Sequence, residues 1–368
     1  MFFCLTGFIF LILAGAAHAA SQAAGSWQVE WEKTIQAAHR EGEVTIYGQA
    51  RHPVSAAIRA FDQVYPKIRL NFLGGTGAQL GVRVMAEKRA GKHLVDIAIG
   101  GAGTQVEVYA RAGLLEPMSA AFILPEVADP SLWWGKKQHY ADPENRAVFM
   151  IVGNASSSIG AYNTGLVKPG EIQSWWDLLQ PKWKGKIVMT DAKSAGNIGT
   201  WRYLYYSPDL GPKFIRRLLA DMDVMFSVDE RQMMDWLGTG KASVHLLAKG
   251  ANIDKAKEQG LPVEELSSQK EGGSISTGSN HLSWFKNAPH PNAARLYINW
   301  VLSREGQLTW QKITKDNSLR ADISKETVLP ENILREGANY IMTSHPQYED
   351  VKPLRKLVDE VLAETKRR

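Results

Sequence analysis

The chain has 368 residues, of which 44% are hydrophobic and 22% charged, with 32 Gly, 12 Trp and a single Cys. That length supports roughly two or three domains, each with its own core, and the composition excludes disordered, collagen-like and coiled-coil classes. Lys and Arg number 43 against 38 Asp and Glu, a net charge of +5. The basic residues are dispersed, the densest group being Lys366-Arg367-Arg368, so the charge reads as a mildly basic surface and not as a nucleic-acid footprint.

The first segment sets the compartment. Met1–Ala20 contains no Asp, Glu, Lys or Arg, its centre Phe8–Ala14 is apolar, and Ala17-His18-Ala19 supplies a small-x-small cleavage pattern. It reads as a signal peptide cut after Ala19, and the mature protein as periplasmic. The apolar run is short for a membrane span of about 20 residues, and no basic stop-transfer cluster follows it. Cys4 leaves with this segment. A mature chain without cysteine excludes disulfides, zinc–thiolate and iron–sulfur centres, and a cysteine nucleophile.

Trp27–Arg40 has Trp27, Trp31, Ile35 and Ala38 on one face, with Ser26 before it and Gly42 after it, the pattern of a capped amphipathic helix. Val44–Tyr47 is a β-rich run. Pro53 then opens a helix carrying Val54, Ala57, Phe61 and Val64. Ile68, Leu70 and Phe72 alternate as in a strand, and a helix follows through Leu80, Val84 and Ala90. Val95–Ile99 is a third strand, and Thr104–Ala112 the next helix. This β-α-β-α-β-α order requires an α/β layered sheet with crossover helices.

Such sheets bind ligands beyond the carboxyl ends of their strands. All three strands run there into small or polar loops: Gly48-Gln49-Ala50-Arg51, Gly74-Gly75-Thr76-Gly77 and Gly100-Gly101-Ala102-Gly103. The glycines can serve as tight turns alone. Three such loops in register predict backbone amides open to a ligand at helix N-termini, with Gln49, Arg51, Gly75, Thr76, Gly77 and Gly101 as candidate contacts. None of them is a nucleotide-binding motif.

Further on, Val148–Val152 and Ile159–Tyr162 are strand-like, and Lys186–Thr190 is a strand leading into Ser194-Ala195-Gly196 and the helix Thr200–Tyr206. Phe214–Leu219 and Glu230–Leu237 continue as helices, Ala242–Leu247 and Ser276–Phe285 as strands, and Ala293–Leu302 and Gln307–Ile313 as closing helices.

Five segments together carry a resemblance. They are Glu43–Gly48; Val95–Ile99 with Gly113-Leu-Leu-Glu-Pro117; Gly160–Asn163 with Ser174–Leu179 and Pro181–Lys186; Asp235–Lys241; and Ser303–Gln307 with Asn317–Asp322. In this order they resemble the type-2 periplasmic solute-binding proteins of ABC importers, in the ferric-iron-transport-like branch of extracellular solute-binding family 1. The resemblance implies an α/β, two-lobed type-2 periplasmic binding protein fold with a central ligand cleft that closes about two hinge strands. Lobe 1 would combine residues 26–153 with 286–368, and lobe 2 would span 154–285. The hinge strands would lie near 148–162 and 276–285. The partners implied are a small-molecule solute and the cognate permease, for a monomer that uses no cofactor and binds no nucleic acid.

Iron-binding members of that branch typically hold ferric iron through paired tyrosines after the strand that corresponds to Ala242–Leu247, where this chain reads Val244-His-Leu-Leu-Ala-Lys249. The accessory acidic position falls on Gly100 or Gly101, and the accessory His position near Ala50. The adjacent Tyr205-Tyr206 lie instead on the helix after Ser194–Gly199, where they read as packing. No metal site is therefore expected. An anion site is: the turn Ser194-Ala195-Gly196 matches the place where relatives hold a companion phosphate, and equally serves as an N-cap. Arg231 and Arg320 can pair with a carboxylate or phosphonate, Trp201 can stack on a flat ligand, and His245 and Asn280 complete the candidate set. Ferric iron or an iron chelate stands as the alternative ligand, and a sensor kinase as the alternative partner. An exported enzyme is the weakest reading, since no G-x-S-x-G, H-E-x-x-H or S-x-x-K motif with plausible partners occurs.

Overall fold

The computed structural model describes residues 26–50, 52–156, 159–190, 198–267, 270–343 and 345–365. The proposed leader, Arg51 and Ser194-Ala195-Gly196 lie outside them. Thirteen strands are present among the described residues. In chain order they are β1 (Glu43–Gly48), β2 (Arg69–Gly74), β3 (Ile97–Gly100), β4 (Phe149–Met150), β5 (Asn154–Ser156), β6 (Gly160–Asn163), β7 (Ile187–Met189), β8 (Met225–Phe226), β9 (Val244–Leu246), β10 (Val263–Leu266), β11 (Gly273–Ser276), β12 (His281–Trp284) and β13 (Tyr340–Ile341).

The chain divides into two compact units. One comprises Met1–Val152 with Thr277–Val328, the other Gly153–Ser276 with Leu329–Arg368. The described residues from Leu329 onward therefore pack with the second unit, and not with the first as the sequence led us to expect. Helix Lys352–Thr365 is the reason. Its Leu354, Leu357, Val358 and Val361 join the same core as Phe214, Ile215 and Leu218 of helix Gly211–Asp221. The apolar stripe of a terminal helix buries itself against whichever stripe it meets, and no local pattern names that partner.

The first unit is built on a five-stranded sheet in the order β2-β1-β3-β12-β4. β1 pairs in parallel with β2 and with β3, as crossover helices require. β12 is antiparallel to β3, with His281 opposite Gly100, so the start of β12 meets the carboxyl ends of β1–β3 at one edge of the sheet. Helix Pro291–Leu302 closes one face, burying Leu296 and Ile298 and setting the rings of Tyr297 and Trp300 against Phe61. Two helices differ from the expected pattern. The one opened by Pro53 breaks at Ala60, whose N–H is shared between the carbonyls of Ala56 and Ala57. Thr104–Ala112 is instead a short α-turn, Ala102–Thr104, followed by a π-helix over Gln105–Ala110. π-Turns of this kind concentrate near functional sites.

The second unit carries a five-stranded sheet, β10-β6-β9-β7-β8, and a three-stranded one, β13-β11-β5. Gly160 begins β6 at φ +141°, and a Cβ there would stand 2.0 Å from the His245 carbonyl oxygen. Only glycine lets β6 lie against β9 at this register. Trp175, Trp201, Phe214 and Leu246 form the core. Among the described residues no helix is long and apolar enough to cross a membrane.

Candidate functional site

In the first unit, three candidate loops converge. Gln49 after β1, Gly77 after β2 and Gly101 after β3 line one slot together with Tyr47, Leu80, Thr104 and Tyr109. The slot offers about 20 Å³ to the centre of a water-sized group, against roughly 10–15 Å³ needed for one water. It therefore fits one small substituent of a ligand and not a whole solute.

Part of the expected row of open amides is closed. The Gln49 N–H donates to Ile99 O at 3.3 Å and the Gly75 N–H to Gly48 O at 3.0 Å. Thr76 caps helix Gly77–Arg89 through a capping box: Gln79 N–H donates to Thr76 Oγ1 at 3.3 Å, and Thr76 N–H to Gln79 Oε1 at 2.9 Å. Two donors remain. The amides of Gly77 and Ala78 begin this thirteen-residue helix with no hydrogen-bond partner among the described residues. Thr104 Oγ1 faces Gly77 across the slot.

The two phenols at the slot are held neutral. Tyr47 donates to Glu87 Oε1 at 2.8 Å and receives Arg83 Nε at 3.2 Å. Burial and then the Glu87 bond raise its pKa, and burial raises that of Tyr109 far above the usual phenol range. Phenolate, the form a hard cation prefers, is disfavoured at both.

Other candidates are committed elsewhere. Arg320, expected to face an anion, is fully buried. Its Nε and Nη2 donate to the two Asp322 carboxylate oxygens at 2.8 Å each, and Nη1 donates to Leu302 O at 3.0 Å and Glu126 O at 3.2 Å. This guanidinium cross-links its own unit and has no fork left for a ligand. Trp201 has no exposed surface and packs in the core of the second unit, so its ring has no free face for a flat ligand. Asn280 is buried just before β12, its Nδ2 donating to Thr277 O and Asp316 Oδ2 at 3.1 Å each.

In the second unit, Arg231 is exposed at the start of helix Glu230–Gly238, its N–H held by Asp229 Oδ1 at 2.9 Å. It lines an open groove of about 1010 Å³ with Glu230, Met234, Asp235, Asn252 and Lys255. His245 is fully buried beneath that wall, with Nδ1 3.3 Å from Met234 Sδ and Nε2 3.9 Å from Glu230 Oε1. Burial pushes its pKa down to about 4, partly countered by Glu230. Tyr205 and Tyr206 stack edge-on at 5.0 Å, and Tyr206 donates to Asp350 O at 2.7 Å. Packing and that bond engage the pair. Among the described residues, no group of three or more His, Cys, Asp or Glu is placed to hold a metal ion.

Sequence reasoning missed Tyr47, Thr104 and Tyr109 as slot-lining residues. Thr104 follows Gly103 directly, so reading one residue beyond the glycine run would have found it.

Residues 45–308 match the family described as bacterial extracellular solute-binding protein. A curated relative, an uncharacterized protein of Haemophilus influenzae, is 26% identical over 288 residues, which cover 75% of this chain and 77% of that one. Among solved structures, the chain is similar to the Trichodesmium protein FutA in complex with iron and citrate, at TM-score 0.55 and 18% identity, covering 87% of this chain and 99% of that one. It is likewise similar to the Mannheimia haemolytica ferric iron-binding protein A in an open conformation, at TM-score 0.55 and 16% identity, covering 87% and 98%. Identity at this level speaks to fold alone, and the fold is that of the two-lobed type-2 periplasmic binding proteins. The chain belongs to the bacterial extracellular solute-binding protein family.

Proposed function

We propose that this protein is an exported, monomeric receptor, its leader removed after Ala19, that captures a small anionic solute in the periplasm and delivers it to the permease of an ABC importer without chemical turnover. The observation that carries the anionic part is the unpartnered amide pair of Gly77 and Ala78, at the positive end of a thirteen-residue helix that opens onto the slot between the three loops. Arg231 on the second unit's groove supplies an exposed cation. Family membership supports the receptor reading, and ligand-stabilised closure would signal the loaded state to the permease.

Native mass spectrometry of freshly purified protein, followed by thermal unfolding with carboxylates, phosphonates and sugar phosphates, tests this reading. A ligand at a hundred times its Kd adds about 2.7 kcal/mol of stability, so a true ligand raises Tm by several degrees. No shift across all three classes rejects the anion.

Ferric iron or an iron chelate is the second reading, favoured by the fold shared with the iron-bound Trichodesmium protein. Against it, β9 runs into Leu247-Ala248-Lys249 where a tyrosine pair would stand, and Tyr205 and Tyr206 are engaged in packing. A ferric chelate titration decides it: tyrosinate charge-transfer colour supports iron on phenolates, and a colourless protein removes that ligation. A neighbouring gene for a histidine kinase, in place of permease and ATPase genes, would move the partner to a sensor.

A further inference from the structure

The antiparallel pairing of β12 with β3 sets His281 opposite Gly100, at the sheet edge where the three candidate loops gather. Its side chain is 1% exposed. Nδ1 lies 3.2 Å from Gly100 O. A carbonyl oxygen only accepts, so Nδ1 carries the proton and Nε2 is left as a bare lone pair. Burial keeps the ring neutral at pH 7. Nε2 is buried and has no hydrogen-bond partner among the described residues.

The residue before it repeats the pattern. Asn280 spends both amide hydrogens, on Thr277 O and Asp316 Oδ2, which fixes its Oδ1 as an acceptor, and that Oδ1 is also buried without a partner. Two neighbouring side chains are satisfied: Gln105 Nε2 donates to His281 O at 2.8 Å, and Ser283 Oγ donates to Gln105 Oε1. Orphaned acceptors are uncommon in native proteins, because each forfeits the water it gave up. Here two come from consecutive residues, at the end of the sheet where the candidate loops gather.

Building on the solute-binding reading above, we infer that His281 Nε2, with Asn280 Oδ1, receives hydroxyl hydrogens of the solute, so that the ligand is a hydroxylated anion. The Gly77 and Ala78 amides take its charged end and the two acceptors its hydroxyls. A site built to accept from a hydroxyl discriminates strongly against the analogue that lacks it, since the acceptor is then left dry.

The test uses the full mature chain and probe pairs that differ by one hydroxyl: malate with succinate, citrate with tricarballylate, glycerol 3-phosphate with propyl phosphate. Calorimetry should show the hydroxylated member of at least one pair binding tenfold or more tightly. The His281→Phe variant should erase that preference. Because this variant could fold poorly, ¹⁵N imidazole spectra of the unaltered protein supply a second readout: the His281 Nε2 signal should shift from bare lone pair to hydrogen-bonded on adding the tighter member. If members bind but the pairs bind alike and Nε2 does not shift, the inference is overturned while the receptor reading stands. If no probe binds, the anionic reading fails and this inference fails with it.

Discussion

A Cβ placed on Gly77 would stand 2.5 Å from Thr104 Oγ1. The loops after β2 and β3 thus approach so closely that a side chain at residue 77 would have to displace the Thr104 hydroxyl. Gly77→Ala gains about 0.5–1 kcal/mol of helix propensity but forces the loops apart at about 1–3 kcal/mol. The expected net loss is about 1 kcal/mol in urea unfolding, with weaker ligand binding. An unchanged midpoint would mean that Thr104 turns aside freely.

Acid should unfold the protein in a defined window. Burial holds His281 and His245 at pKa values of about 4, below their ordinary 6.5. The folded state binds these protons more weakly than the unfolded chain does. The stability they contribute is therefore full above pH 6.5 and is lost as pH falls from there toward 4. Each can cost roughly 3 kcal/mol across that window. Urea midpoints at pH 7.5, 5.5 and 4.5 measure the slope, and His245→Gln should make it shallower.

Arg320→Lys is expected to destabilise by about 3 kcal/mol, because it breaks a buried bidentate pair and leaves Asp322 without its partner. Affinity per folded molecule should not change. Lost affinity at full stability would return Arg320 to the ligand.

Trp201→Ala should cost about 3–5 kcal/mol through a cavity in the second unit's core. Calorimetry on the folded fraction should give the affinity of the unaltered protein. A stacking role would produce the opposite pattern, with small stability loss and large affinity loss.

Much of the first unit was legible because its signals are local. Alternation in Ile68–Phe72 and the glycine runs after each strand locate β1–β3, and crossover helices between them force a parallel pairing. The same logic names Gln49, Gly77 and Gly101, which do line one slot. It could not tell which amides stay free, since that depends on where the neighbouring carbonyls of Gly48 and Ile99 fall. Arg320 misled for a related reason: a cation in a sequence carries no sign of the carboxylate that will claim it, here only two residues away.

By itself the sequence determined the α/β class, the order of the first strands and the loops that gather at one end of the first sheet, because hydrophobic period and turn chemistry act over a few residues. Tertiary structure alone decided which unit takes the terminal helix, that Trp201 and Arg320 are core and cross-link, and that His281 comes to Gly100 across 181 positions of chain. These are long-range pairings. Burial and desolvation assign them, and both are properties of the assembled neighbours and not of any residue taken alone.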